Sequence, residues 1–488
     1  MHYTTAYFVR WLCLLVGMFG MAAQLPATDT VKPNVVFILT DDLGINDLHC
    51  YGRQEHHTPN LDRLAADGTR FTTAYCAQPI CSPSRAAILT GKAPARLHLT
   101  TFLPGRPDCV SQKVIHPEIL MQVPLEVKML PRYFKEAGYV SACIGKWHVG
   151  GKGFGPLEHG FDMYHPGKPN TVPSETEGGK GEFGLTAAAI SFIETNQQRP
   201  FFVYLAHNTP HIPYAAQAAR MDRQRGAFEP VYAAVIESMD ETVGLLLAKL
   251  DALGLATNTL VIFTSDNGGL HVPELTHSRI THNTPYRAGK GFVYEGGLRI
   301  PLIVRWPGHV PAGRVVQEPV VNTDWLPTLM ECIGQPAPTD MDGVSLAGLL
   351  QGKSPAPARK LFWHFPHYTN QGSRPSGAVR EGDWMLVEYY DSSSTELYNL
   401  AQDVAETQDL AAQNSARVTS MQSALAAWRK GVNAQENSPN PNVDIGKYRA
   451  LYQDVDASRF EPAKADAATW EKMQDWRKLM NEVVRKGK

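Results

Sequence analysis

The sequence lacks an excess of charge of either sign, and it is poor in cysteine. Lys and Arg together number 46 against 48 Asp and Glu in 488 residues, so no basic surplus points to a nucleic-acid partner. The seven cysteines are scattered without the CxxC spacing of a zinc site, and they do not form a small disulfide scaffold. We find no internal repeat. The 35 prolines and 40 glycines instead indicate many loops, which suits an enzyme better than a helical bundle.

Long hydrophobic runs are also missing, except at the N-terminus. There Arg10 precedes an apolar stretch over residues 11–21, followed by small residues and a polar start at Thr28. This pattern predicts a signal peptide over residues 1–27, hence a protein exported to the periplasm or the extracellular space. A buried N-terminal helix is the alternative. No later run is long and apolar enough to predict a membrane span.

Short apolar runs rich in β-branched and aromatic residues alternate with helix-like segments. The runs cover residues 34–40, 139–144, 201–206, 260–264 and 302–306, and the helix-like segments cover 60–66, 130–137 and 232–253. This alternation predicts an α/β fold, with a mostly parallel sheet sandwiched by helices. Ligands bind beyond the carboxyl ends of the strands in such folds, so polar residues that directly follow the runs are the first candidates for a site.

A change of composition after residue 350 predicts a domain boundary. We predict a catalytic domain over residues 28–355 and a C-terminal α+β subdomain over 356–435. The subdomain should hold a small antiparallel sheet, from the runs 361–365, 377–380 and 384–390, and a helix over 415–429. Residues 436–488 are predicted to be a polar C-terminal extension with one helix near 467–484.

Two polar clusters follow two of the predicted strands. Asp41 and Asp42 come directly after the first run, and Asp266 and Asn267 come after the run that ends at residue 264. Three carboxylates and an amide oxygen form a hard, all-oxygen donor set that suits calcium or magnesium. Either cluster alone could simply cap a helix or a turn. Two such clusters at the ends of two parallel strands favour a metal site.

A cysteine precedes a short predicted helix in the segment CSPSRAAILTG, residues 81–91. Pro83 is predicted to open the helix and Gly91 to close it, so Cys81 would lie just ahead of an N-terminus that favours anions. Arg85, one turn later, could hold the product of Cys81 or the metal-binding carboxylates. The alternative is a buried cysteine before an ordinary helix.

This segment resembles the sulfatase signature C-x-P-S-R-x-x-x-L-T-G, whose cysteine a maturation enzyme oxidises to formylglycine. Further blocks resemble the same family in the family's order: DDLG at 41–44, GKWHVG at 145–150, HIP at 211–213, DNG at 266–268 and GKGFVYEGG at 289–297. Over residues 33–435 the chain is therefore similar to the type I, formylglycine-dependent, arylsulfatase-like sulfatases.

The resemblance implies an alkaline-phosphatase-like fold and one divalent cation, usually calcium. Carried over position by position, it implies that the metal ligands are Asp41, Asp42, Asp266, Asn267 and the modified Cys81. It implies that formylglycine and the sulfate are surrounded by Arg85, Lys146, His148, His211 and Lys290. Among these we assign His148 as the base for sulfate release. His211 and Lys290 are assigned to the leaving oxygen, and Asp266 is a candidate base for the attacking hydroxyl. His207 is the local rival of His211.

The resemblance also implies the partners, a sulfated saccharide and the formylglycine-generating maturation enzyme; the oligomeric state stays open. The segment 364–375 resembles that of bacterial sulfatases acting on sulfated sugars, and the candidate sugar contacts are His98, His364, His367 and Arg374. We predict an exo-acting sulfatase for galactose or N-acetylgalactosamine sulfate, with 4-sulfate favoured over 6-sulfate. The alternatives are a formylglycine-dependent phosphonate or phosphate monoester hydrolase, and a glycan-binding protein without turnover.

Overall fold

A computed structural model describes residues 32–168, 172–174, 176–277 and 279–486, so the predicted signal peptide over 1–27 lies outside the described residues. The strands are β1 (Asn34–Thr40), β2 (Thr69–Tyr75), β3 (Val114–Ile115), β4 (Val140–Gly145), β5 (Met163–Pro166), β6 (Phe201–Ala206), β7 (Thr259–Ser265), β8 (Arg299–Arg305), β9 (Arg314–Val316), β10 (Val320–Val321), β11 (Lys360–Phe365), β12 (Ser376–Glu381), β13 (Trp384–Tyr389), β14 (Thr395–Asn399) and β15 (Ser438–Pro439).

The helices alternate with the strands through the first two thirds of the chain. They are α1 (Pro59–Ala66), α2 (Cys81–Thr90), α3 (Leu130–Glu136), α4 (Glu182–Asn196), α5 (Ala218–Arg223), α6 (Pro230–Ala252), α7 (Glu295–Leu298), α8 (Trp325–Cys332), α9 (Ala347–Leu350), α10 (Ser415–Gly431), α11 (Ile445–Tyr452) and α12 (Ala467–Lys486). Among the described residues, none of these helices has both the length and the apolar character needed to cross a membrane.

The main sheet has nine strands in the order β10-β2-β8-β7-β1-β6-β4-β5, and β9 pairs with β2. The five strands β7, β1, β6, β4 and β5 are parallel to one another, whereas β8 runs antiparallel to both β7 and β2. Every residue of β1, β6 and β7 is buried, because helices cover the sheet on both faces. The predicted mostly parallel α/β sandwich is therefore confirmed.

The C-terminal part of the chain adds a second, antiparallel sheet in the order β11-β12-β13-β14. Helix α10 packs on this sheet through Met421 and Leu425, which join a small apolar cluster with Val379, Leu386 and Leu397. The predicted subdomain elements are thus present, although the boundaries at residues 355 and 435 stay predictions.

The C-terminal extension is far less peripheral than its polar composition indicates. Leu451, Trp476 and Met480 are buried and belong to the same apolar core as the main sheet. Its contacts reach the catalytic part as well, since His271 Nε2 lies 2.9 Å from the carbonyl oxygen of Ala457. Residues from Lys32 onward form one compact unit.

Candidate active site

The predicted site residues converge at one edge of the main sheet, namely the edge formed by the carboxyl ends of its parallel strands. Asp41 directly follows β1, Asp266 follows β7 and Lys146 follows β4, while His211 lies five residues after β6. These four strands are adjacent and parallel, so their carboxyl ends meet and bring these distant parts of the sequence together.

Helix α2 presents Cys81 to this edge. The helix begins at Cys81, so the thiol belongs to its first residue. The prediction that Pro83 opens the helix and that Cys81 lies ahead of it is wrong by two residues, because Pro83 is the third residue of the helix. Gly91 ends the helix with a φ of 67°, a conformation that glycine adopts without strain. The Sγ atom of Cys81 lies 3.5 Å from Asp41 Oδ1 and 3.8 Å from Asp42 Oδ1. Burial raises the pKa of this thiol, so an unmodified Cys81 is neutral.

Each carboxylate of the cluster has its own cation. Lys146 Nζ lies 2.6 Å from Asp41 Oδ2, and Lys290 Nζ lies 2.7 Å from Asp42 Oδ2. Arg85, fully buried, donates from Nε to Asp266 Oδ2 at 2.8 Å. Burial by itself would raise the pKa of Asp41, but Lys146 and the other nearby positive groups hold that pKa well below its usual range.

The donor set fits a hard divalent cation. The ligand atoms of Asp41, Asp42, Cys81 and His211 lie within 4.8 Å of one another. Asn267 donates through Nδ2 to Asp42 Oδ1 at 2.8 Å, while its buried Oδ1 has no hydrogen-bond partner among the described residues. A buried acceptor without a partner is costly unless something positive binds it, and calcium takes such oxygens.

In each of the two predicted catalytic histidines, His148 and His211, one ring nitrogen bonds a backbone carbonyl and the other remains available for proton transfer. His148 Nε2 lies 3.0 Å from the carbonyl oxygen of Leu103, a contact that requires this nitrogen to carry the proton. Nδ1 of His148 is then a bare acceptor, buried and without a partner in the described part of the chain. The ring of His211 bonds the carbonyl of Ile212 through Nδ1, and its Nε2 lies 3.6 Å from Asp42 Oδ2.

A pocket of about 380 Å³ opens beside the cluster. It is lined by Asp41, Gly145, Lys146, His148, Tyr164, Gly167, Lys180, Asn208, His211, Ile212 and Pro213. Four of these residues, Tyr164, Gly167, Lys180 and Asn208, were missed by the sequence analysis. Asn208 carries a signal that could have found it, because it is the second polar residue after β6, whereas Tyr164 and Lys180 belong to no motif.

The four residues predicted to contact the sugar form their hydrogen bonds and ion pairs with residues outside the cluster around Cys81. His364 lies between Tyr390 Oη at 2.9 Å and the carbonyl oxygen of Gln435 at 2.7 Å. His367 contacts Thr100 Oγ1 at 2.7 Å, and His98 contacts the carbonyl of Asn433 at 2.8 Å. The fourth residue, Arg374, is paired with Asp391. Each side chain thus has a partner outside the cluster, and its role in sugar binding stays a prediction.

An edge that carries this many fixed positive charges around a buried thiol is suited to receive a small anion. It lies beyond the carboxyl ends of parallel strands, where α/β sheets bind their ligands. The sulfatase family matches residues 33–335, and the C-terminal region of N-sulphoglucosamine sulphohydrolase matches residues 288–431. The chain belongs to the sulfatase family and is a sulfuric ester hydrolase.

Individual relatives agree with this assignment. The chain is 38% identical over 380 residues to N-acetylgalactosamine-6-sulfatase of Canis lupus familiaris, covering 70% of each chain. It is 36% identical over 415 residues to arylsulfatase A of Homo sapiens, covering 76% of each chain. Among solved structures it resembles Ps i-CgsB in complex with k-i-k-neocarrahexaose, with a TM-score of 0.70, 29% identity, and coverage of 82% of this chain and 93% of that one.

Proposed function

We propose that this chain is an exported carbohydrate sulfatase that uses formylglycine at position 81 and one calcium ion. The observation that carries the proposal is the position of Cys81 Sγ, 3.5 Å from Asp41 Oδ1 and 3.8 Å from Asp42 Oδ1. Lys146 is paired with the first of these two aspartates and Lys290 with the second. A group transferred to residue 81 would therefore lie in a field of positive charge.

The groups brought by maturation and by the metal supply the reactive chemistry. Formylglycine would offer a hydrated aldehyde, with one hydroxyl to attack sulfur and a second to expel sulfate afterwards. Calcium, held by Asp41, Asp42, Asp266, Asn267 and the modified residue 81, would act as a Lewis acid and fix the sulfate.

The protein side chains would orient the ester and move its protons. Lys146 and Lys290 would neutralise the sulfate oxygens, and Arg85 would hold Asp266 beside residue 81. Nδ1 of His148 is the base we propose for sulfate release, because its Nε2 is already committed to the Leu103 carbonyl. Lys290, and His211 in its imidazolium form with a proton on Nε2, would protonate the leaving oxygen.

We propose a galactose or N-acetylgalactosamine sulfate as substrate. Support comes from the canine relative, an N-acetylgalactosamine-6-sulfatase, and from the oligosaccharide in the Ps i-CgsB structure. The preference for 4-sulfate rested on the segment 364–375, whose His364, His367 and Arg374 bond elsewhere. We therefore propose the 6-sulfate ester as the preferred substrate and the 4-sulfate ester as the matched alternative.

A substrate panel tests this proposal. Enzyme coexpressed with a maturation enzyme should release sulfate from galactose 6-sulfate or N-acetylgalactosamine 6-sulfate faster than from the 4-sulfates. The same sugars carrying phosphate instead of sulfate form the control series. A large preference for the phosphate esters would replace the assignment with a phosphate or phosphonate monoester hydrolase. Saccharide binding without any release of sulfate by formylglycine-containing protein would instead favour a glycan-binding protein.

A further inference from the structure

The pocket beside Cys81 has two chemically different parts. Lys146, together with the ring nitrogens of His148 and His211, forms a charged end next to the carboxylates, and Lys146 carries its positive charge. Tyr164, Ile212 and Pro213 contribute hydrocarbon and aromatic surface to the same pocket. A ligand that fits both parts carries an anionic group at one end and an apolar face on its body.

Two glycines leave this pocket lined by bare backbone. A Cβ atom at Gly145 would come within 1.9 Å of the carbonyl oxygen of Ala206. A Cβ atom at Gly167 would lie 2.4 Å from Asn208 Nδ2 and 3.3 Å from the Cα atom of Gly145. With no side chains at these two positions, the larger residues of the lining determine what the pocket accepts.

Tyr164 is the exposed aromatic residue of this lining. It lies on β5, at the edge of the sheet, opposite Cys143 of β4, which is fully buried. Tyr164 keeps 36% of its surface exposed, and its hydroxyl has no hydrogen-bond partner in the described part of the chain. Its side chain is therefore not buried in the core, and its ring is available to a ligand.

Asn208 supplies a polar group in the same pocket. Its side chain is nearly buried, and its Nδ2 has no hydrogen-bond partner among the described residues. A buried amide N–H group without a partner is stabilised when a hydroxyl or a water binds it. The lining thus combines an aromatic face with a hydrogen-bond donor, as sugar recognition requires, because a pyranose has an apolar C–H face and a hydroxyl-bearing edge.

We propose that Tyr164 is a specificity-determining residue on whose ring the sulfated pyranose stacks. The inference rests on the proposed function and names the contact that selects a cyclic sugar ester over an acyclic alkyl sulfate of equal charge. The sulfate binds at the charged end, and the apolar face of the sugar ring covers Tyr164. Asn208 donates to a ring hydroxyl.

Steady-state kinetics on galactose 6-sulfate test the role of the ring. Tyr164→Ala should raise KM about 10-fold with kcat within about twofold of wild type, and Tyr164→Phe should remain close to wild type, because it keeps the aromatic face. Inhibition by inorganic sulfate should be unchanged in both variants, since sulfate needs only the charged end. Leu157→Ala is the control, because Leu157 is 54% exposed and does not line the pocket.

Three results would overturn the inference. They are an unchanged KM in Tyr164→Ala, an equal loss in Tyr164→Phe, and a parallel loss of sulfate inhibition, which would mean that Tyr164 supports the anion site instead. A wild-type enzyme without sulfate release would refute the proposed function separately. In that case calorimetric titration of galactose 6-sulfate onto the unmodified chain still decides, since Tyr164→Ala must weaken binding about 10-fold and Tyr164→Phe must not.

Discussion

At the residue scale, the site holds a neutral thiol between carboxylates that are already paired with cations. Asp41 and Asp42 are bound by Lys146 and Lys290, and Asp266 is bound by Arg85. An unpaired charge would be costly in a site this deeply buried, so the cations and the carboxylates stabilise each other before any substrate arrives. Asn267 Oδ1, His148 Nδ1 and Asn208 Nδ2 are among the buried groups that lack a hydrogen-bond partner in the described residues.

Replacing Cys81 with serine should abolish turnover and leave substrate binding largely intact. A serine ester has no second hydroxyl with which to expel sulfate, so at most one turnover per enzyme molecule is expected. Sulfate release, counted per active site, is the measurement. Cys332→Ser provides the matched control, because Cys332 is a free, half-buried thiol on α8, and it should retain wild-type turnover. Repeated turnover by the Cys81 variant would contradict the formylglycine role.

Calcium should stabilise the protein as well as activate it. Because the folded chain alone assembles the oxygen cluster, calcium at 100 times its Kd should raise the free energy of unfolding by about 2.7 kcal/mol. Chelator should remove both effects, and Asp42→Asn should weaken them strongly. Thermal unfolding with and without calcium measures the stability change independently of activity. A melting temperature insensitive to chelator would argue against the metal site.

The charged residues of the site were predictable because they directly follow strands or lie in continuous motifs. Asp41 and Asp266 could be found by this rule without any relative. Tyr164 could not, because its importance depends on exposure at the edge of the sheet, which no local pattern encodes. The sugar contacts predicted at His364 and His367 stay predictions, since polar and aromatic residues also occur together where a subdomain bonds its own loops.

At the element scale, buried strands were the features most readily predicted from sequence. The predicted bounds 34–40 and 201–206 coincide with β1 and β6, because continuous apolar runs end there in polar residues. Strand β2 was missed, since its sequence TRFTTAY mixes polar and apolar residues and half-buries some of them. Nothing in the run 302–306 distinguishes the antiparallel orientation of β8 from that of its parallel neighbours.

The junction between β4 and the Lys146 loop should tolerate no side chain at Gly145. This residue has a φ of 103°, and a Cβ atom there would lie 1.9 Å from the carbonyl oxygen of Ala206 on β6. Gly145→Ala should therefore cost at least about 2 kcal/mol in the free energy of unfolding. Gly151→Ala is the control, because its Cβ would meet nothing within 4 Å, and its effect should stay within about 0.5 kcal/mol. Urea denaturation of both variants decides, and equal midpoints would refute the steric argument.

At the scale of the whole molecule, the C-terminal extension supports the wall of the active site. Arg477 on α12 lies 3.3 Å from Glu274 and also donates to the carbonyl of Asn370. Glu274 in turn accepts from Gln371 at 2.5 Å, and the turn that contains Gln371 packs against Gly291, the residue after Lys290. The polar composition of residues 436–488 concealed this role, because a few buried aromatic and apolar residues are enough to dock a helix.

Replacing Arg477 with methionine should destabilise the protein by about 2 kcal/mol and lower kcat. The substitution leaves the half-buried Glu274 without its cation, and it loosens the turn beneath the Lys290 loop. Lys478→Met, one residue later, removes a side chain that is 72% exposed and should change stability by no more than about 0.5 kcal/mol. Chemical denaturation and sulfate release on both variants make the comparison. Identical behaviour of the two would mean that the extension is dispensable.

The complete burial of helix α2 also bears on whether Cys81 can be modified before or after the chain folds. All ten of its residues are inaccessible, and Cys81 retains only 2% of its surface. If position 81 is converted to formylglycine, as we propose, the oxidising enzyme would have to act before the chain folds, because the folded chain buries the thiol. Under that proposal, we expect that adding the oxidising enzyme to folded protein with a free Cys81 thiol restores no sulfate release, whereas adding it while the unfolded chain is renatured does.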